Sequence, residues 1–392
     1  MRIIIATWAH RSHYFPLVPL GWALMAAGHD VRVAAQPDGA QVVADSGIPF
    51  AAVGPRLDLD EIMPRLRVAA APEATAAERE VARQETAVRM FMEGSRVMAG
   101  GMAELARSYR PDAIVYEPRI YAALKAANDL GVPAIRSLSG GTDYTCVREE
   151  IERPYLAPLW EEFGLEGVSP HGDMTIDPCP PSLQVDGDLP RRFMRYIPYN
   201  GGGSTQKWVN EPVERPRVVV TWGVTHAKRT GHLNPVKTVV EALADMDVDV
   251  IVAQFKQEAK LLGELPPHAR LIESMPLQLL LPTCSAIVHQ GGAGTMMTSA
   301  SCGVPQLILH SIQDQPHNAE QLAEQGAGLG LDLAEADRDS IREHVDALLH
   351  DVRHRSAAEA LKNEIERQPE PSSVVGQIED LQARSSGRPA SV

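Results

Sequence analysis

The sequence has little of what would indicate a disulfide framework, a nucleic-acid surface or a membrane span. Its four cysteines, at positions 146, 179, 284 and 302, lie far apart and form no CxxC pair, which argues against a zinc site and favours a reducing cytoplasm. The chain carries 51 Asp and Glu against 37 Lys and Arg, a formal net charge of -14. Nucleic acid and anionic membrane are therefore not expected as main partners. No stretch reaches the roughly 18 apolar residues of a membrane span, and the N-terminus does not have the pattern of a signal peptide.

What the sequence does contain is an alternation of short apolar runs with helical patterns. The runs are rich in β-branched residues, which is typical of buried parallel strands. The length of 392 residues suggests two domains, and the alternation predicts a parallel, doubly wound sheet in each. The predicted strands of the first domain cover residues 2–6, 31–35, 112–117 and 133–138, and its helices cover residues 16–27, 75–109 and 122–130.

The pattern weakens over residues 140–193, which are predicted to be loops with short helices. Glycines, prolines and polar residues at 201–216 predict a linker between two domains, residues 1–200 and 217–371. Ligands of open parallel sheets bind beyond the carboxyl ends of the strands. The predicted strands of the second domain cover residues 217–222, 248–254, 269–274, 285–290, 305–310 and 327–331.

The segment "HQGGAGT", residues 289–295, lies between a predicted strand and a predicted helix. Its three glycines permit positive φ and close approach of a ligand to the backbone. A helix N-terminus also offers free N–H groups to an anion. His289 can donate to a phosphate, and Thr295 can cap the helix or bind the anion. A glycine-rich turn without a ligand is the alternative interpretation.

Candidate binding residues follow two other strands of the second domain. Asp314 and Gln315 place a carboxylate beside an amide, a pair that suits neighbouring sugar hydroxyls. They are equally suited to cap the helix that follows. Residues 275–277 form a loop whose backbone can read the edge of a nucleobase, or an ordinary strand-to-helix connection.

His13 is the candidate general base of the first domain. It lies between the first strand and the first helix, where a histidine can accept a proton near neutral pH. Glu117, at the end of another strand, can hold the other ring nitrogen and favour the imidazolium. His10 is a rival three residues earlier, and a surface histidine without a role is the alternative.

Together these segments resemble the antibiotic-type family 1 glycosyltransferases of actinomycetes, along essentially the whole chain. The similarity is carried by "SHYFPLVPLGWALMAAGHDVRVAAQP" near the N-terminus, "DPCPPSLQ" at 177–184, "RYIPYNG" before the linker and "MPLQLLLPTCSAIVHQGGAGT…GVPQLIL…DQ" in the second half. Members of this kind attach deoxysugars to polyketides, for example the spinosyn rhamnosyltransferase and the angucycline glycosyltransferases.

The resemblance implies the GT-B fold, in which two doubly wound, Rossmann-like α/β domains face each other across a cleft. It implies that the first domain binds the acceptor, with His13 as base and Glu117 as its partner, and that the second binds a nucleotide sugar. A last helix, residues 372–386, would cross back onto the first domain. The implied donor-binding residues are Gly223, Met275, Leu277, His289, Gly292, Ala293, Gly294, Thr295, Asp314 and Gln315. The expected acceptor walls include Met90, Tyr144 and Trp160, which are otherwise ordinary core residues.

The predicted reaction is a direct displacement with inversion. His13 takes the proton of an acceptor hydroxyl, and the oxygen attacks the anomeric carbon of a TDP- or UDP-activated (deoxy)sugar. No metal or other cofactor is expected, because the glycine loop and the helix dipole would stabilise the leaving diphosphate. Three DxD sequences, at 58–60, 186–188 and 245–247, do not follow a strand of the nucleotide domain and are interpreted as acidic surface.

The chain departs from the family at Gln290, where a second histidine is common, and at His310, where proline is common. His310 and His226 are candidate contacts near the sugar or acceptor, or solvent-facing histidines.

The alternative functions are C-glycosylation of an aromatic polyketide, epimerisation of a nucleotide sugar, and a non-catalytic partner protein. The expected partners are a nucleotide sugar and a hydrophobic small molecule in the cytoplasm. A homodimer and an auxiliary activator protein are left open.

Overall fold

Two parallel β-sheets, one in each half of the chain, organise the fold. The structure is a computed structural model that describes residues 1–71, 73–147, 149–185, 189–223, 227, 231–312 and 314–386, without the side chains of residues 59, 60, 76, 144 and 147. Neighbouring strands within each sheet pair in parallel. All strands of one sheet therefore end at the same edge, and the loops that follow them meet there.

The N-terminal sheet has seven strands among the described residues. They are β1 (Arg2–Ala6), β2 (Asp30–Ala35), β3 (Phe50–Ala52), β4 (Ala113–Tyr116), β5 (Ala134–Ser137), β6 (Met174–Asp177) and β7 (Arg191–Phe193). Their order across the sheet is β3-β2-β1-β4-β5-β6-β7. Ile3, Ile4 and Ile5 of β1 are fully buried, as expected for a central parallel strand with helices on both faces.

Helices cover the two faces of this sheet. The longest, of 34 residues, begins with a capping box formed by Thr75 and Glu78 and ends at Arg110, which has a positive φ. The helices are α1 (Arg11–Tyr14), α2 (Val18–Ala26), α3 (Ala40–Ala44), α4 (Leu59–Leu66), α5 (Ala76–Tyr109), α6 (Tyr121–Leu130), α7 (Tyr144–Val147) and α8 (Glu149–Phe163), with 3₁₀ turns at Phe15–Leu17, Pro37–Gly39 and Pro181–Leu183.

The C-terminal sheet has six strands within the described part of the chain. They are β8 (Arg217–Thr221), β9 (Asp249–Gln254), β10 (Ala269–Glu273), β11 (Ala286–His289), β12 (Gln306–His310) and β13 (Gly328–Asp332), in the order β10-β9-β8-β11-β12-β13. The helices around it are α9 (Asn234–Ala242), α10 (Lys256–Ala259), α11 (Leu277–Leu280), α12 (Ala293–Ser301), α13 (Gln315–Glu324), α14 (Arg338–His350) and α15 (Val352–Arg367), with 3₁₀ turns at Lys207–Asn210 and Leu281–Thr283.

The last helix, α16 (Pro371–Ser386), returns to the N-terminal domain. Its apolar residues Val374, Val375 and Ile378 are buried in the same core cluster as Leu20 and Leu24 of α2. The chain therefore crosses between the domains twice, once through the linker before β8 and once between α15 and α16. None of the helices in the described part of the chain is long and apolar enough to cross a membrane.

In each sheet, the candidate residues lie at the point where the strand order changes direction. β1 lies between β2 and β4, and β8 lies between β9 and β11, so a crevice opens at the carboxyl end of each of these pairs. His13 and Glu117 follow β1 and β4. Gly223 and Gly292 follow β8 and β11.

Residues 140–193 contain more regular structure than the predicted loops with short helices. They include the 15-residue helix α8 and the strands β6 and β7, and β3 was also not predicted. Pro154 and Pro158 lie inside α8, and they hide its helical pattern because proline usually ends a helix. The strands β3, β6 and β7 are only three or four residues long, too short for a periodic signal.

Candidate active site

The side chain of His13 is held by Glu117 at the carboxyl edge of the N-terminal sheet. His13 Nδ1 hydrogen-bonds to Glu117 Oε1. Glu117 Oε2 accepts hydrogen bonds from Thr7 Oγ1 at 3.1 Å and from the backbone N–H of Trp8 at 3.4 Å. Glu117 is buried, whereas the side chain of His13 is 33% exposed. The ring is therefore anchored through one nitrogen, which leaves Nε2 as the nitrogen that a substrate can reach.

Charges around His13 favour its protonated form. Burial lowers the pKa of His13, but the negative charge of Glu117 and the hydrogen bond to it raise the pKa by more, so that it lies above its usual value. Asp314, from the other domain, raises this pKa further, and Arg119 lowers it. Asp314 of the other domain is therefore close enough to His13 for the two charges to interact.

His10 lies close to His13 but makes different contacts. Its Nδ1 is 3.3 Å from Ser12 Oγ, and the two imidazole rings meet edge to face with centroids 6.1 Å apart. The carboxylate that can stabilise an imidazolium contacts His13. This geometry favours His13 over His10 as the base.

The glycine loop after β11 leads directly into α12, with Gly292 as its N-cap. Gly291 has φ +89°, and a Cβ at this position would lie 2.6 Å from Ile308 Cγ2, so only glycine fits. No side chain caps the helix. Among the described residues, no side chain therefore accepts from the first-turn N–H groups of Ala293 and Gly294, and such free N–H groups at a helix N-terminus can bind an anion.

His289 lies beneath this loop and does not face the cleft. Its side chain is fully buried. The Nε2–H donates to Gln306 Oε1 at 2.9 Å, and Nδ1 accepts from the N–H of Gly291 at 3.0 Å. Burial lowers the pKa of His289 to about 4, so the ring is neutral near pH 7. With both ring nitrogens occupied, this geometry does not provide the ring donor to phosphate that the sequence predicted, and His289 shapes the loop instead.

Asp314 and Gln315 begin α13 but use their side chains differently. Asp314 is the N-cap residue, yet its carboxylate accepts no hydrogen bond from the helix backbone. Asp314 Oδ2 accepts instead from Asn318 Nδ2 at 3.1 Å. Gln315 Oε1 accepts from the N–H groups of Ser311 and Ile312 at 3.1 and 3.3 Å. The carbonyl of Gln315 is therefore committed to its own loop, and only its amide NH₂ can serve a ligand.

The remaining predicted donor residues surround the same crevice. A Cβ at Gly223 would lie 2.4 Å from Gln290 Nε2, so Gly223 makes room for that side chain. Met275 is 9% exposed and packs into the core with Leu280. Leu277 is the first residue of α11. The side chain of Met275 thus faces the core, and the loop backbone is what remains for a nucleobase.

A pocket of about 400 Å³ opens in the N-terminal domain beside Arg119. Its walls are mainly apolar and include Leu156, Ala157 and Trp160. Trp160 packs edge to face on Tyr121 with centroids 4.9 Å apart. Arg119 connects the pocket to His13, because its guanidinium lies over Phe91 and the ring of Phe91 contacts His13.

Of the other two predicted acceptor residues, Met90 is half-buried on α5 and does not line this pocket. The side chain of Tyr144 lies outside the described residues, as does His226. His310 ends β12 at the carboxyl edge, and its carbonyl accepts from the N–H of Leu333 at 2.8 Å.

Comparison with known proteins identifies the family. Residues 22–223 match the N-terminal domain, and residues 237–381 the C-terminal domain, of the family described as erythromycin biosynthesis protein CIII-like. The chain is 34% identical to the 10-deoxymethynolide desosaminyltransferase of Streptomyces venezuelae, covering 100% of this chain and 99% of that protein. It is similar to the solved glycosyltransferase VinC in complex with DTDP, with a TM-score of 0.80, 30% identity and coverage of 98% and 100%. Its TM-score with the spinosyn rhamnosyltransferase SpnG is 0.83, at 28% identity and coverage of 97% and 100%.

The chain belongs to the erythromycin biosynthesis protein CIII-like family. It is a glycosyltransferase with two parallel-sheet, Rossmann-like domains, and the GT-B fold and the family expected from the sequence are confirmed. This CIII-like glycosyltransferase has its histidine–carboxylate pair in one domain and its glycine loop in the other.

The motif "DPCPPSLQ" of this CIII-like glycosyltransferase joins the two domains. Asp177 Oδ2 accepts from Gln184 Nε2 at 2.9 Å inside the N-terminal domain. Ser182 Oγ and N–H donate to the carboxylate of Glu364 on α15 at 2.6 and 3.0 Å. Burial is the main cause that raises the pKa of Asp177 to about 7. The motif therefore holds the returning chain against the first domain.

Sequence reasoning did not identify Asn318, which contacts both the glycine loop and Asp314. Its position four residues after Asp314, on the same face of a helix, was the available signal.

Within the described residues, no group of three or more His, Cys, Asp or Glu side chains is placed to hold a metal. The described carboxylates of the DxD sequences lie on the surface: Asp58 is exposed, and Asp245 and Asp247 pair with Arg342 and Arg215.

Proposed function

We propose that this glycosyltransferase moves a deoxysugar from a TDP- or UDP-sugar to a hydroxyl of a polyketide-like acceptor, with inversion at the anomeric carbon. The observation that carries this proposal is the pair His13–Glu117, which lies close enough to Asp314 of the other domain for their charges to interact. Asn318 connects Asp314 to the glycine loop. A base on one side and an anion-binding helix N-terminus on the other are the two groups that a direct displacement requires.

In the proposed reaction, His13 Nε2 takes the proton of the acceptor hydroxyl. The oxygen forms a bond to the anomeric carbon as the bond from that carbon to the diphosphate breaks, and the electron pair of the broken bond stays on the diphosphate oxygen. Because attack and departure occur on opposite sides, the anomeric configuration inverts. Glu117 stabilises the imidazolium that forms. A positioned base contributes roughly 10²–10⁴ in rate.

The second domain would bind the donor. The first turn of α12 offers N–H groups and the positive end of its dipole to the diphosphate. Asp314 would accept hydrogen bonds from sugar hydroxyls, and the backbone at 275–277 would contact the base. A thymidine nucleotide is the first choice, since the similar enzyme VinC is described in complex with DTDP. In this proposal His289 supports the loop rather than contacting the phosphate.

The apolar pocket beside Arg119 is the proposed acceptor wall. Its volume of about 400 Å³ suits part of a polyketide ring, and Trp160 provides a flat apolar face. The relative from Streptomyces venezuelae is described as acting on 10-deoxymethynolide, which supports an acceptor of this chemical class here. No metal is part of the proposed mechanism, because the helix N-terminus would stabilise the leaving diphosphate.

The test combines the full chain with TDP- and UDP-sugars and a panel of polyketide aglycones in the presence of EDTA. We expect acceptor-dependent release of nucleoside diphosphate and a product with inverted anomeric configuration by NMR. Retention of configuration, or activity only after adding Mg²⁺ or Mn²⁺, would contradict the mechanism. An acid-stable product would indicate C-glycosylation, and sugar conversion without acceptor would indicate an epimerase.

A further inference from the structure

A loop of the N-terminal domain, Gly140 to Asp143, packs directly on the start of the donor helix α12. A Cβ added to Gly141 would lie 2.7 Å from Ala293 Cβ, and one added to Gly140 would lie 3.3 Å from Met297 Cγ. We call this segment the docking loop. Its glycines allow the backbones of two domains to approach where any larger residue would hold them apart.

Asn318 connects the docking loop to the donor site. Its side chain is fully buried. The Nδ2 group donates to the carbonyl of Gly291 at 2.9 Å and to Asp314 Oδ2 at 3.1 Å. Oδ1 accepts from the N–H and the hydroxyl of Thr142 at 3.4 and 3.3 Å. Both donors and both acceptor sites of the amide are thus used, two within the donor domain and two across the domain interface.

We infer that Asn318 is a positioning residue. Through its hydrogen bonds to the docking loop, it fixes the positions of the glycine loop and Asp314 relative to the N-terminal domain. The inference rests on the proposed function, since it assigns a role within that reaction. Holding the Gly291 carbonyl leaves the following N–H groups directed at the anion. Holding Asp314 fixes the direction of the carboxylate that faces His13.

The docking loop also continues into the wall of the acceptor pocket. The N–H of Asp143 donates to Gln184 Oε1 at 2.7 Å, and its carboxylate pairs with Arg136 at 2.6 Å. Arg136 and Thr145 line the pocket. Hydrogen bonds therefore connect the glycine loop through Asn318 to Thr142 of the docking loop, and its next residue, Asp143, to the acceptor side. Such a network can couple two sites when each member has few alternative partners.

The first experiment adds one methyl group to the interface between the two domains. Gly141→Ala introduces an atom whose only close neighbours belong to the other domain. Gly202→Ala is the matched control, because a Cβ there meets nothing within 4 Å. The double variant Gly141→Ala, Ala293→Gly removes the closest opposing atom, leaves the contact with Asn318 Oδ1 at 3.2 Å, and should restore most of the packing. Hydrogen exchange of the full chain is measured without ligand and again with TDP.

We expect Gly141→Ala to raise exchange at residues 291–296, in the other domain, at least threefold, and Gly202→Ala to leave it unchanged. In the double variant, hydrogen exchange at residues 291–296 should return toward the level measured for the single variant Ala293→Gly. TDP should bind Gly141→Ala more than threefold more weakly than the wild type, because residues 291–296 carry the N–H groups proposed to bind the diphosphate, and it should bind Gly202→Ala with wild-type affinity. Unchanged exchange at 291–296, or an increase that Ala293→Gly does not reverse, overturns the inference. This readout needs no acceptor and no turnover, so a failure of the proposed reaction is seen separately.

The second experiment is a double-mutant cycle on transfer kinetics. Asn318→Ala and Thr142→Val should each lower kcat/KM at least tenfold, and the double variant should lose much less than the product of the two losses, because both remove one shared interaction. Thr142→Ser keeps the hydroxyl and should restore most of the activity. Independent, multiplicative losses would contradict the inference, as would a Thr142→Ser variant no better than Thr142→Val.

Discussion

The Nε2–H of His289 donates to Gln306 Oε1 at 2.9 Å, and this bond fixes which tautomer the histidine adopts. Nδ1 is then the acceptor for the N–H of Gly291. The buried, neutral ring of His289 thus holds the backbone turn at the start of the glycine loop. Protonation of His289 would break the bond to Gly291, since a protonated ring has no acceptor.

His289 should therefore make stability depend on pH. An unfolded histidine binds a proton near pH 6.5, whereas burial lowers the pKa of His289 to about 4. Between these values the unfolded state holds more protons, so the free energy of unfolding decreases as pH falls. The contribution of this residue between pH 7 and pH 5 is about 2 kcal/mol. Urea unfolding at the two pH values measures it.

The control is His289→Asn, which cannot titrate in this range. It should be less stable than the wild type at pH 7, because the buried hydrogen bonds are altered, but should lose less stability on going to pH 5. An unchanged pH dependence would show that other groups cause it. The affinity for TDP at pH 7 should fall as the loop loosens.

The fold was predictable because its central strands are continuously apolar. Ile3 to Ile5 and Val218 to Val220 are buried on both faces, and such runs have few alternatives to a parallel strand. The candidate positions at the carboxyl ends of these strands then follow from geometry, since ligands of open parallel sheets generally bind there. His13, Glu117 and the glycine loop became candidates in this way.

The rest of the site depends on contacts between distant segments, which no local pattern indicates. Asn318 and Thr142 are 176 positions apart in the chain. The role of His289 could not be predicted either, since a histidine at a strand end suits a ligand or a buried partner equally well. Only the position of Gln306 on the neighbouring strand decides between them.

Asp314→Ala should weaken binding of a TDP-sugar more than binding of TDP. If the carboxylate accepts hydrogen bonds from sugar hydroxyls, its loss costs roughly 1.5–3 kcal/mol, which corresponds to about 10- to 150-fold in Kd. Titration calorimetry with both ligands measures the difference. Gln315→Ala is the contrast, because its carbonyl holds Ser311 and Ile312, and it should weaken both ligands equally. Equal losses for Asp314→Ala would indicate that Asp314 acts only by holding Asn318.

Trp160→Ala should raise the KM for the acceptor and leave the KM for the donor within about twofold. Trp160 lines the pocket, and its indole N–H donates to the carbonyl of Val168 at 2.8 Å. Trp160→Phe keeps an aromatic face without this hydrogen bond and serves as the control. Because removing a packed tryptophan costs about 3–5 kcal/mol, the melting temperature is measured in parallel. An unchanged acceptor KM in a folded Trp160→Ala variant would place the acceptor elsewhere.

His13→Ala should lower kcat by roughly 10²–10⁴, the usual contribution of a general base. The affinity for TDP and the melting temperature should stay close to those of the wild type, because the side chain is 33% exposed and the donor is proposed to bind to the other domain. His10→Ala should keep most of the activity. If His10→Ala is inactive and His13→Ala is active, the base has been assigned to the wrong residue.

The pH dependence of kcat tests the pair as a unit. A base must be unprotonated to act, so the rate falls as pH drops through the pKa of His13, which Glu117 raises above its usual value of about 6.5. In Glu117→Gln the charge is lost while a group of similar shape remains, and the acidic limb of the profile should move to lower pH. The maximal rate should also fall, though by less than in His13→Ala, because the amide stabilises the imidazolium less well. In His13→Ala the acidic limb should be absent. If the acidic limb of Glu117→Gln lies at the same pH as that of the wild type, a group other than the His13–Glu117 pair causes the limb.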